Sequence, residues 1–115
     1  MAILFYDHLI DWERLHTSVR LMQIEDEEIE EVLEHLEETI HTEVFILIFE
    51  LLPKERHEDF LDQFHAAPYN PTHLTYLHTH VGPHAEHRIK QRSSELIDEL
   101  ILSLLEDDTA QESNE

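Results

Sequence analysis

The chain contains no cysteine, one glycine (Gly82), four prolines, and seven Lys and Arg against 27 Asp and Glu. Each scarcity removes a class of chemistry. Without Cys there are no disulfides, no thiolate nucleophile and no thiolate ligands for zinc, which suits a reducing compartment. A single Gly cannot build the phosphate-cradling loops, and neither a nucleotide fingerprint nor a nucleophile elbow is present. The formal net charge of −20 is the reverse of what a phosphate backbone attracts, and argues against direct nucleic-acid binding. No apolar run reaches the roughly 18 residues of a membrane span, because even Val44 to Leu52 is interrupted by Glu50. The opening Met1-Ala2-Ile3-Leu4-Phe5-Tyr6-Asp7 has no basic region and meets Asp7 too early for a signal-peptide core. These absences predict a cytoplasmic protein with no membrane partner.

What is present is helical. The 115 residues are 41% hydrophobic and 30% charged, enough for one packed core. Leu4, Leu9, Trp12, Leu15, Val19 and Met22 recur at helical spacing, predicting a helix broken near Thr17-Ser18. Ile29, Val32, Leu33, Leu36, Ile40, Val44, Leu47, Ile48 and Leu51 keep one stripe over a long helix from Asp26 to Leu52, which Pro53 stops. Pro53 then opens a short segment with Phe60, Leu61 and Phe64 inward, before a loop at 66–70. Asn70-Pro71 reads as the cap and first position of a further helix carrying Leu74, Leu77 and Val81. Gly82-Pro83 ends that helix in a tight junction and starts the last long one, through Ile89, Leu96, Ile97, Leu100, Ile101 and Leu104. The fold class expected is all-α, an irregular small bundle of two long and two or three short helices. A single domain over residues 1–105 is expected, with a disordered acidic tail at 106–115, where five acids occur without periodicity.

The stretch Glu50-Leu51-Leu52-Pro53-Lys54-Glu55-Arg56-His57-Glu58-Asp59-Phe60-Leu61, closing a long helix, resembles a family of short helical domains of unknown function found mainly in genomes of candidate-phylum bacteria. The similarity extends through Leu77, Val81-Gly82-Pro83 and the final helix, over residues 25 to 105. The resemblance implies a fold and supplies no functional residues. The His content departs from the Glu and Lys expected at several of those positions.

Histidine is the unusual component: eleven in all, with His73, His78, His80, His84 and His87 inside fifteen residues. Imidazole suits zinc or nickel. His84 and His87 share a helix face at i, i+3, and His80 precedes them across the Gly82-Pro83 turn, so these three are the candidate metal ligands, with Glu86 or His78 near. The competing reading is that His replaces other polar residues on a solvated surface. Glu13-x-x-His16 and Glu38-x-x-His41 repeat the unit used by di-iron bundles, but a chain rich in both residues forms such pairs by chance. Residues 25 to 38 hold nine acids with no Lys or Arg; this is most simply a solvated face, since there is no Ca²⁺ loop pattern. Arg88, Lys90 and Arg92 form the one basic cluster.

No catalytic residue is indicated and no cofactor is expected, so enzymatic activity is disfavoured, a metal-dependent one excepted. The leading expectation is a non-catalytic helical interaction module that binds a protein partner or forms a homo-oligomer. The run Phe45-Ile46-Leu47-Ile48-Phe49 covers every side of a helix, which makes Phe45, Ile46 and Phe49 the candidate interface. The alternatives are a His-cluster metal-binding (zinc or nickel) or pH-responsive protein, and an acidic nucleic-acid-mimic decoy. Surface histidines near acids also predict a higher melting temperature near pH 6 than near pH 8.

Overall fold

The computed structural model describes residues 4–113, with side chains through Glu106. Five α-helices and two 3-10 turns follow one another: α1 (Trp12–Arg20), α2 (Asp26–Leu51), α3 (His57–Ala66), α4 (Thr72–His80) and α5 (Ala85–Ser113), with the turns at Asp7–Leu9 and Lys54–Arg56. The fold class is all-α, a small bundle of two long and three short helices. α5 continues past Glu106, where the sequence places the start of a tail; the side chains of that tail lie outside the described residues.

Local chemistry sets the boundaries. The first break falls at Ile10-Asp11, not at Thr17-Ser18. Asp7 Oδ2 accepts the Leu4 amide at 2.7 Å, Ile10 turns extended, and Asp11 caps α1 by accepting the Arg14 amide at 3.1 Å. A carboxylate offering a cap outweighs the weak helix preference of Thr and Ser. α2 starts on Asp26, Glu27 and Glu28, which suit the positive end of the helix dipole. It ends because Leu52, ahead of Pro53, is pushed to an extended conformation with φ −75° and ψ 139°. α4 begins one position later than Asn70-Pro71 suggests, with Pro71 at its N-cap, while Asn70 Oδ1 just ahead accepts the Thr72 amide at 3.0 Å. Gly82 takes φ +133°, a conformation only Gly adopts without strain, and it lets α5 reverse directly after α4.

α2 and α5 form an antiparallel pair, with Leu47 beside Arg88 and Arg92 at one end and Val32 beside Leu104 at the other. Their facing stripes, Ile29, Leu33, Leu36, Ile40, Val44, Leu47 and Ile48 on α2 and Ile89, Leu96 and Ile97 on α5, are buried. The gap in the α5 stripe is filled by Ser93, buried with its hydroxyl donating to the Lys90 carbonyl at 3.0 Å. α1 lies along one flank of the pair, burying Leu15 and Val19. Its Arg14 reaches Asp98 and the Ser94 carbonyl on α5, and His16 meets Glu37 of α2 at 2.7 Å.

The two ends of the pair differ. All five Phe, with Tyr6, Tyr76 and His73, gather around the C-terminal half of α2, where α3, α4 and the N-terminal segment cover it. The N-terminal segment is pinned there by the Phe5 amide donating to the Pro68 carbonyl at 3.0 Å. On α3, Phe60 is buried and Phe64 half-buried, whereas Leu61 is exposed, contrary to the inward role expected of it. Phe60 and Phe64 share the face at i, i+4, and Leu61 sits about 100° round from Phe60. The opposite end, the start of α2 with the C-terminal part of α5, is aliphatic and projects away from the aromatic core. The molecule is accordingly elongated, 53 × 24 × 20 Å with a radius of gyration of 16.5 Å, against about 13 Å for a compact chain of this length.

Candidate functional site

The three histidines expected to converge do not. Among the described residues no group of three or more His, Asp and Glu side chains is placed to hold a metal ion, and His80, His84 and His87 form no such group. Each is diverted locally. His80 closes α4 with its ring against Tyr76, centroids 4.3 Å apart. The exposed His84 ring folds over Gly82, within 2.9 Å of where a Cβ would stand. Glu86, the nearest extra ligand, is taken by His78, whose Nε2 lies 3.1 Å from its Oε1. His87 is exposed on the first turn of α5.

The two Glu-x-x-His units do not act as units either, since Glu13 and Glu38 point to solvent while their histidines turn elsewhere. His16 pairs with Glu37, and His41 Nδ1 accepts the Tyr6 hydroxyl at 2.5 Å. Glu37 and His41 stand at i, i+4, so Asp7, Tyr6, His41, Glu37 and His16 make one polar seam beneath α1, roofed by Trp12, whose ring centroid is 5.1 Å from that of His41. Burial holds the His41 imidazole below its usual 6.5, although the charges of Asp7 and Glu37 pull it upward. Burial, reinforced by the Asp7 charge, pushes the Tyr6 phenol well above its usual 10. Both shifts keep the pair neutral, with tyrosine the donor. Asp7 Oδ1 is buried with no hydrogen-bond partner among the described residues. The seam is a structural clasp between the N-terminal segment, α1 and α2. Sequence spacing alone could not pair Tyr6 with His41, 35 positions away.

The expected interface residues are also relocated. Phe45 packs on Tyr6 and Phe64 at centroid distances of 5.9 and 4.8 Å, and Phe49 on His57 and Phe60 at 4.9 and 6.0 Å. The turn at Pro53 sends α3 back over this side of α2, so the chain covers the two rings itself. Ile46 alone of the three stays exposed, at 46%.

Tyr69, in the loop between α3 and α4, is 69% exposed, and further exposed apolar side chains lie at the other end. Leu21, just before α2, is 81% exposed, and Leu102 and Leu105 near the end of α5 are 57% and 47% exposed. At the same end a groove of 420 Å³ opens between the helices, lined by Val32, Leu36 and Leu104 with Glu28, Glu31 and His35 along the rim. Glu37, which holds α1, and His35, on the groove, are about 200° apart around α2, so α1 and the groove occupy opposite flanks of the helix pair. The groove borders the most acidic stretch of the molecule. Glu25, Asp26, Glu27, Glu28, Glu30, Glu31 and Glu34 are all exposed, and among the described residues none of them pairs with a base. The basic cluster is partly committed: Arg92 reaches Glu43 at 3.4 Å and Glu95 at 3.8 Å.

Comparison of the chain with family models, with curated proteins and with solved structures gives no match. Among the described residues no helix is long and apolar enough to cross a membrane.

Proposed function

We propose that this protein is a non-catalytic helical interaction module, which binds another protein through the projecting end of the α2/α5 pair. The observation that carries the reading is the groove at that end, floored by Val32, Leu36 and Leu104 with no occupant from the described chain, on helices that also expose Leu21, Leu102 and Leu105, each by at least 47%. Isolated surface leucines need no explanation, but an open apolar groove with an acidic rim is a mark of a protein contact. The five phenylalanines, by contrast, are spent on the core at the opposite end. The histidines with buried or half-buried rings serve internal contacts: His41 to Tyr6, His57 to the Leu52 carbonyl, and His73 to the Ala67 carbonyl. That leaves the titratable groups of the interior in structural roles. The lack of Cys suits work in the cytoplasm.

The reading is tested by purifying the untagged protein from its source cells at native level and weighing the complexes by native mass spectrometry. A stoichiometric heteromeric complex, lost in the Leu21→Glu/Leu102→Glu variant while the fold persists by circular dichroism, is expected. Recovery of the monomer alone would overturn it.

A further inference from the structure

We infer that the groove between the N-terminal half of α2 and the C-terminal half of α5 receives one basic amphipathic helix of the partner protein. This rests on the interaction-module reading and adds the chemistry of the occupant.

A groove between two antiparallel helices is the natural seat of a third helix, and the molecule already demonstrates the docking on its other flank. There, α1 places Leu15 and Val19, spaced i, i+4, into the α2/α5 seam. Arg14 and His16 on either side of that stripe reach outward to Asp98 and Glu37. Two aliphatic anchors flanked by an Arg and a His that meet carboxylates on both walls, Asp98 on α5 and Glu37 on α2, are thus what this helix pair accepts.

The opposite flank offers an apolar floor and an acidic rim without an occupant from the described chain, its carboxylates standing on the α2 wall. Val32, Leu36 and Leu104 form the apolar floor, and Glu28 and Glu31 the rim. Glu28 and Val32 are four residues apart, as are Val32 and Leu36, so floor and rim run along one side of α2 over more than two turns. The charge decides between candidate occupants. A second copy would bring its own −20 and its own unpaired carboxylates to the contact, and like charges set face to face oppose association. A helix with Lys or Arg flanking aliphatic residues at i, i+4 places cations where Glu28 and Glu31 stand and hydrocarbon where Val32 and Leu104 stand.

The test uses the full chain and three synthetic peptides of about 18 residues, long enough for helix to form. One carries Leu anchors at i, i+4 and i+7 with Lys flanks; the second has the same composition with its anchors scrambled; the third keeps the anchors but replaces Lys by Glu. Isothermal titration at moderate salt should show the first binding at least tenfold more tightly than the second, and no measurable binding of the third. In the NMR spectrum the amides of Val32, Leu36 and Leu104 should move, while those of Leu15 and Val19 stay. Glu28→Gln/Glu31→Gln should weaken binding several-fold, whereas Glu55→Gln/Glu58→Gln, an equal charge change on and beside α3, should leave it within twofold. Equal affinity for the scrambled peptide, equal weakening by the control pair, or shifts spread away from the groove would overturn the inference, as would a dimer that closes the groove. The wild-type NMR map stands whether or not a variant folds. A heteromeric complex from the source cells, together with failure of the peptide, removes the basic-helix occupant and leaves the module reading in place; loss of both removes the module reading itself.

Discussion

Acidification from about pH 7.5 to about pH 5.5 should destabilise the protein through His41, the reverse of the trend expected of surface histidines. The cause is local. His41 is packed under Trp12 and accepts the Tyr6 hydroxyl through Nδ1, and burial outweighs the pull of Asp7 and Glu37, so its proton is bound more weakly than the usual 6.5 implies. For a base lowered in this way the unfolded chain takes up its proton first as pH falls. The stabilising contribution is complete above 6.5 and is lost as pH drops through 6.5 toward the folded value. One proton sets the ceiling: the slope from this residue cannot exceed about 1.4 kcal/mol per pH unit. Protonation also turns Nδ1 into a donor, so the Tyr6 hydroxyl must rotate to accept, and the polar seam beneath α1 loosens. Urea denaturation across this pH range measures the slope. His41→Gln keeps an acceptor for Tyr6 but cannot titrate, so its profile should be flatter than that of the wild type. The direct check is an NMR titration of the His41 ring protons, with an expected midpoint below 6.5. A midpoint at or above 6.5, or identical slopes for wild type and His41→Gln, would refute the reasoning.

Three further outcomes follow. Phe60 is fully buried among Phe5, Phe49, Phe64 and His73, so Phe60→Ala should cost about 3–5 kcal/mol in chemical denaturation; a cost below about 1 kcal/mol would mean the aromatic end is not a packed core. Gly82→Ala should cost about 1–3 kcal/mol from its positive φ, and His84→Ala in the same chain should restore only the part due to the 2.9 Å contact; full restoration would show that backbone strain is not the cause. Zinc and nickel should bind weakly and without stoichiometry, unchanged by His84→Ala, as expected of exposed imidazoles that do not converge; a single tight site by calorimetry would contradict this.

Elements governed by near neighbours in the chain were legible in the sequence. The stripe from Ile29 to Ile48, the stop at Pro53 and the positive φ of Gly82 each depend on a few consecutive residues and stand where spacing and side-chain chemistry put them, whereas Val32 and Leu51 of the expected stripe are only half-buried and the N-cap of α4 is Pro71, not Asn70. The first helix starts later than its stripe suggests because two local carboxylate contacts, the Leu4 amide on Asp7 and the Asp11 cap on Arg14, divide a stripe that reads as continuous. Tertiary coverage was not legible. The run Phe45 to Phe49 does exceed one core face, as its composition indicates, but α3 of the same chain covers Phe45 and Phe49 and leaves Ile46 exposed. The groove at Val32 and Leu104 pairs residues 72 positions apart, and no local pattern marks it. Histidine misled most, because a cluster in sequence was split in space by a turn, and the member that is fully buried, His73, faces Phe5 and Phe60 rather than a shared centre.

The most direct measurement of the central claim is photo-cross-linking in the source cells with a benzophenone side chain placed singly at Val32 and, as control, at the exposed Leu61 of α3. The projecting end of α2 and α5 is the contact surface, so Val32 should yield a covalent adduct with another protein whose linked peptide is a basic amphipathic segment, and Leu61 should yield none. Adducts of equal yield at both positions, or at Leu61 alone, would contradict the account.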